Sequence, residues 1–227
     1  MSSIDEPILV TGYDATWPML FAAERSRVRN ACGDSITRIE HFGGTAVPGS
    51  AAKPIVDLLV GVRNLDAFGP HLAKLDTIGY VHFGPVFTSQ RWYSRRRGPP
   101  HFNLAIAVDG GEFWRSQLKL RDYLRAHPDE VSAYSDCKRR LFDNGSRTFV
   151  SYSQAKASFA TALMERVKAW EIEPRPRLEP PSIEGDSCLA SNPSSLKKAE
   201  QGEGDAQSAT NEADSGWRVA GSEKIEQ

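Results

Sequence analysis

The sequence predicts an α+β (mixed α/β) fold, with a small mixed sheet flanked by helices, a helical C-terminal block and a disordered acidic tail. Three observations predict it. Short alternating or apolar runs bounded by glycine and proline are interleaved with an early amphipathic helix. Longer helical patterns close the body, the middle one opening at Pro128 with Asp129 and Glu130 in its first turn. From Pro174 the composition turns to Pro, Ser, Gly and Glu, with large apolar residues scattered singly, too sparse to bury enough surface to offset chain entropy.

The elements follow in order. After an extended piece at 8–13, Pro18 stands near the start of a helix whose apolar stripe includes Leu20, Phe21, Val28 and Cys32. Residues 35–42 alternate as a strand, a glycine-rich turn follows, and 54–62 (PIVDLLVGV) is a second strand, apolar except at Asp57. Residues 65–79 form a short helix ended by Gly79, with Gly69-Pro70 weakening its first turn. Three strands are expected at 80–87, 90–95 and 101–108, the last with Phe102, Leu104 and Ile106 on one face. Helices at about 111–125, 128–143 and 151–170 complete a domain over 1–173, and 174–227 is the tail.

Composition limits the classes of function. Of 227 residues 40% are apolar and 25% charged, ordinary for a globular protein. The tail has six Lys/Arg against ten Asp/Glu, which leaves a body of net charge +3, too little to argue for sequence-independent nucleic-acid binding. Cys32, Cys137 and Cys188 are widely spaced without a C-x-x-C, so neither a disulfide framework nor a zinc ribbon is expected, and a reducing, cytoplasmic setting is. No run of 18 apolar residues and no N-terminal leader pattern is present, so no membrane partner is expected.

The densest stretch is HFGGTAVPGSAAKPIVDLLV, His41 to Val60. A strand ending in Gly43-Gly44 lets backbone N–H groups approach an anion without a Cβ in the way. A carboxylate on the next strand, Asp57, stands where it could hold a Mg²⁺ bridging the same phosphates, with Lys53 reaching the anion from the strand start. A plain turn between core strands uses the same glycines. In QRWYSRRRGPPHF, Arg91, Arg95, Arg96 and Arg97 surround Trp92 and Tyr93, suited to a phosphate and a stacked base or to a solvated hairpin. No Ser-His-Asp or Cys-His set has a recognisable local motif.

The block IEHFGGTAVPGSAAKPIVDLLVGV resembles the hallmark of the GrpB (UPF0157) family, Ile-Glu-His-Ile-Gly-Ser-Thr-x-Val-Pro-Gly-Leu-x-Ala-Lys-Pro-Ile-Ile-Asp. Tyr13 to Pro18, Arg121 to Arg125, Lys138 and Tyr152 to Lys156 are similar too, and the likeness covers about 8–170. The family also occurs fused to dephospho-CoA kinase. The resemblance implies the nucleotidyltransferase fold shared with DNA polymerase beta, in which a Gly-Ser turn precedes two carboxylates on the next strand and often a third on a later one, holding Mg²⁺. Gly43-Gly44 takes the place of Gly-Ser and Asp57 that of the first carboxylate. Leu59 falls where the second belongs, and the later strand offers His101 and Asn103 but no acid.

The resulting expectation is a Mg²⁺-dependent, nucleotidyltransferase-like enzyme acting on a nucleotide or activated phosphate and a small-molecule acceptor. Asp57 is the metal ligand, and Asp57, His101 and His41 are the catalytic candidates. Gly43, Gly44, Thr45, Lys53, Arg91 and, by family likeness, Lys156 bind phosphate. Alternation allows at most one of Glu40 and His41 to face the site. Two alternatives stand beside it: a catalytically degenerate protein that binds a nucleotide or acidic ligand, and a condensing enzyme that reuses the fold for amide or acyl formation.

Overall fold

In the computed structural model, residues 4–170 are described. The expected tail, 174–227, lies outside them, as does Cys188.

The described chain is mixed α/β. Its five strands, β1 (Arg38–Phe42), β2 (Ile55–Val62), β3 (Val81–Pro85), β4 (Arg91–Arg96) and β5 (His101–Val108), form one sheet in the order β1-β2-β5-β4-β3. Only β2 and β5, at its centre, run parallel; the other pairs are antiparallel. The apolar run read in β2 suits this position, since a strand flanked on both sides is covered on both faces. Of its eight residues only Asp57 is not fully buried.

One face of the sheet is closed by α1 (Trp17–Cys32), α2 (Leu65–Phe68) and α3 (Leu72–Asp76). Val28, Phe68 and Leu75 from these helices meet Val56, Leu58, Val60, Leu104 and Ile106 of the sheet in the main core. On the other face, Trp114 of α4 (Glu112–Ala126) covers Leu59, Ala105 and Ala107. A third cluster, including Val47, Tyr123, Val131 and Leu163, ties α4 to α5 (Pro128–Asp143) and α7 (Ala157–Ala169). Between the last two lies α6 (Phe149–Ala155), opened by a capping box from Thr148.

The departures from expectation sit at local breakers. The helix expected over 65–79 is two short helices joined by a 3₁₀ turn at Gly69–His71, because Pro70 lacks the N–H that a continuous helix would use. The C-terminal helix is broken at Lys156, which caps α6 and precedes α7. The first strand starts at Arg38 rather than residue 35, because Gly33–Ser35 close a 3₁₀ turn. The extended piece expected at 8–13 is part of a longer segment that also takes in Glu6 and Pro7. This segment forms a strap: Phe149 N–H donates to the Glu6 carbonyl (2.8 Å), and Thr11 bridges to Ala52.

Candidate functional site

The site is built where β1 hands over to β2. Gly43 has φ +73°, a backbone conformation that favours glycine. A Cβ there would sit 2.5 Å from Asp57 Oδ2, so the glycine is what lets the turn lie against the carboxylate. A Cβ on Gly44 would sit 2.9 Å from that of Ala52 and 3.3 Å from Lys138 Nζ. The 3₁₀ turn Gly44–Ala46 follows.

Asp57 is held from one side. In the parallel register Asn103 lies beside it, and Asn103 Nδ2 donates to Asp57 Oδ1 at 2.7 Å. The Asn103 amide is itself fixed: its Oδ1 accepts from the Tyr93 hydroxyl (2.8 Å) and from Arg97 Nη2 (2.9 Å). Arg97 pairs with both Glu6 oxygens (2.6 and 2.9 Å), and Arg95 meets Glu6 at 3.2 Å. Burial raises the Asp57 pKa, opposed by Lys53 and the Asn103 hydrogen bond.

Around this carboxylate stand cations without carboxylate partners. Among the described residues, Lys53, Lys138, Lys156 and Arg91 form no ion pair. Lys138, 5% exposed, donates to Ser50 Oγ (3.0 Å) and the Ala51 carbonyl (2.8 Å) and lies over the Tyr134 ring. Burial and the nearby Lys156 push its pKa down to about 7. Lys53 lies over Phe149, 4.7 Å from the ring centre; burial, then Lys156, lowers it to about 8. Lys156 stands near Tyr152. Arg91 lies over Tyr93 and Phe113, and burial holds it below its usual range.

Other expected site residues are placed differently. His41 pairs in register with Leu58, so it points away from Asp57, and its ring stacks on Phe21 at 4.7 Å. Burial, aided by Arg125 and Arg121, drives its pKa down to about 4. Its Nε2 lies 3.0 Å from Thr45 Oγ1, which commits the Thr45 hydroxyl to His41. Alternation instead puts Glu40 on Asp57's side, where Arg121 holds it at 3.0 Å and also reaches the His41 carbonyl. His101 opens β5 beside Ile55, and its Nδ1 accepts from Gly98 N–H at 3.3 Å. Of the arginine-rich loop, Arg95 and Arg97 serve Glu6, and Arg96 pairs with Glu24 on the opposite face.

The residues present do not fit the Mg²⁺ that the resemblance implies. Leu59 is fully buried against Ala105, Ala107 and Trp114. The described residues contain no group of three His, Cys, Asp or Glu arranged for a metal ion. Asp57 is left as one carboxylate among ammonium and guanidinium groups.

Ser94 Oγ lies 2.7 Å from His82 Nδ1, and Asp76 Oδ1 lies 3.0 Å from His82 Nε2, a set that no local motif announced. Ser94 is 1% exposed, its partner His82 faces it across β3 and β4, and Nε2 also meets the Leu72 carbonyl. This set fastens the edge strand to α3.

Glu6 is the site residue that sequence reading missed. Nothing local marks it, since its partners lie more than 85 positions away.

A glycine turn packed on a strand carboxylate, with lysines around it, is the arrangement that this fold presents. The GrpB protein family profile matches residues 7–166, and the chain belongs to that family. It is 32% identical over 165 residues to a UPF0157 protein of Halalkalibacterium halodurans, covering 71% of this chain and 83% of the relative. The crystal structure of the conserved protein GrpB from Enterococcus faecalis is similar with a TM-score of 0.65 and 28% identity, over 72% of this chain and all of the other. Terminal uridylyl transferase 4 from Trypanosoma brucei with bound dUTP is a slight likeness: TM-score 0.36 and 16% identity over 51% of this chain and 40% of that one.

Proposed function

We propose that this domain binds a nucleotide or other activated phosphate between the Gly43-Gly44 turn and α5 and α6, and transfers a phosphate-linked group to a small acceptor. The observation that supports this best is the convergence of Lys53, Lys138 and Lys156, none in an ion pair among the described residues, on the turn and on Asp57. Cations left unpaired in a partly desolvated cleft are matched to an anionic ligand.

Asp57 is the proton acceptor in this reading. As the acceptor's hydroxyl or amine attacks phosphorus, its proton passes to Asp57, the new bond forms to phosphorus, and the bond to the leaving pyrophosphate breaks. Asn103 fixes the direction of the carboxylate. A raised pKa makes the carboxylate a readier proton acceptor than an ordinary aspartate. A panel of nucleoside triphosphates and small hydroxyl or amine acceptors, with calorimetry for binding and pyrophosphate release for turnover, tests it. Asp57→Asn should keep the triphosphate affinity and lose at least about a hundredfold in turnover. Turnover unchanged in Asp57→Asn removes the base, and no binding across the panel removes the phosphate reading.

A second reading, a protein that binds such a ligand without catalysis, draws on Leu59, which stands where the resemblance implies an acid, and on a later strand that offers His101 and Asn103 but no acid. Triphosphate binding with no pyrophosphate release from any pair would favour it.

A further inference from the structure

Something must neutralise the phosphates of a bound ligand, and in phosphoryl-transfer sites two divalent cations held by carboxylates commonly do so. We infer that this site takes its phosphorylated ligand without a divalent cation, the ammonium groups of Lys53, Lys138 and Lys156 supplying the positive charge. The inference rests on the phosphate reading above.

Three features of the Asp57 surroundings disfavour a metal. The Asn103 amide presents its NH₂ group to Asp57 because Oδ1 is occupied by donors from Tyr93 and Arg97. An NH₂ group cannot coordinate a cation, and turning the amide over would set its NH₂ against those two donors. Leu59, one strand turn along on the same face, is packed under Trp114 and offers no oxygen. Glu6, a carboxylate beyond Asn103, is committed to Arg95 and Arg97.

The lysines are placed to do the metal's electrostatic work. Lys138 uses two of its three N–H donors on Ser50 Oγ and the Ala51 carbonyl, which fixes the ammonium beside Gly44 and leaves one donor for a ligand. Lys53 and Lys156 lie within electrostatic reach of each other, and each acts on Asp57. Three like charges gathered around one carboxylate repel a divalent cation and attract a polyanion.

The test uses the full chain and two probes. Mn²⁺ is titrated alone and followed by the electron paramagnetic resonance of the free ion, for the wild type and Asp57→Asn. Inorganic pyrophosphate is titrated by calorimetry in EDTA and in excess Mg²⁺. The expected result is identical Mn²⁺ curves for the two proteins, which cancels any ion taken by the acidic tail, and pyrophosphate binding that persists in EDTA. Lys156→Gln, at a partly exposed helix end, should weaken that binding about tenfold, and Lys138→Met should do the same. A Mn²⁺ site lost in Asp57→Asn, or pyrophosphate binding that appears only with Mg²⁺, overturns this inference while leaving the phosphate reading intact. No pyrophosphate binding in either buffer, with no Mn²⁺ site, removes both.

Discussion

Lys138 and Lys53 carry a pH dependence whose sign follows from their environment. Both pKa values fall below the ordinary lysine value, Lys138 to about 7 and Lys53 to about 8, chiefly through burial. Between those values and the unfolded lysine value, the unfolded chain binds more protons than the folded one. The two groups therefore add stability as pH rises through that window and remove it as pH falls toward 7. Thermal unfolding of wild type and Lys138→Met from pH 7 to 9 should show the wild type gaining relative to the variant, by at most about 1.4 kcal/mol per pH unit. A constant difference would mean that Lys138 stays charged. Anion binding should run the other way and weaken as pH rises through 7 and 8, since neutral amines lose the charge that holds the ligand. At this scale residue type and order singled out Asp57, Gly43, Gly44, Lys53 and Arg91 as candidates. They gave no access to the partner of Thr45 or to the placement of His41, because a period of two says which residues share a face but not which face carries the site.

Among the elements, β2 carries the contrast between Asp57 and Leu59. Asp57 and Leu59 share a face two residues apart, yet one stands among the lysines and the other lies under Trp114 of α4. Installing the absent acid should therefore fail as a repair: Leu59→Asp would bury a charge with no partner and cost roughly 3–5 kcal/mol, measured by urea unfolding. A variant that keeps wild-type stability and gains a Mn²⁺ site would show that this face tolerates a carboxylate. The strands and helices were legible because hydrophobic period and punctuation act locally. Their breaks were less so: Pro70 was visible in the sequence, but the interruption at Lys156 has no breaker residue and falls where α6 packs on the strap and α7 on α4.

Across the whole domain, Glu6 joins the first residues of the strap to the last turn of β4, to Asn103 and, through Asn103, to Asp57. This makes the strap a support of the site rather than a loose extension. Glu6→Gln should cost roughly 1.5 kcal/mol, the low end for a charge-assisted pair because the Glu6 side chain keeps 18% exposure. Hydrogen exchange should also quicken at the Phe149 amide, which donates to the Glu6 carbonyl. Exchange unchanged at Phe149 would mean that the strap is held without this pair. Among the described residues no helix is long and apolar enough to cross a membrane.

The sequence by itself determined the mixed α/β class, the order of turn, strand and carboxylate, the leucine at 59 and, through the hallmark block, the family. These are local or ordered patterns, and period, glycine and residue type encode them directly. Tertiary structure decided which charges are free. Arg95, Arg96 and Arg97 read as a single basic cluster but are claimed by Glu6 and Glu24, whereas Lys53, Lys138 and Lys156 lie far apart in the chain and are gathered near Asp57. Whether a cation is spoken for depends on which carboxylate the fold brings within about 4 Å, and the separation of partners along the chain carries no trace of that distance.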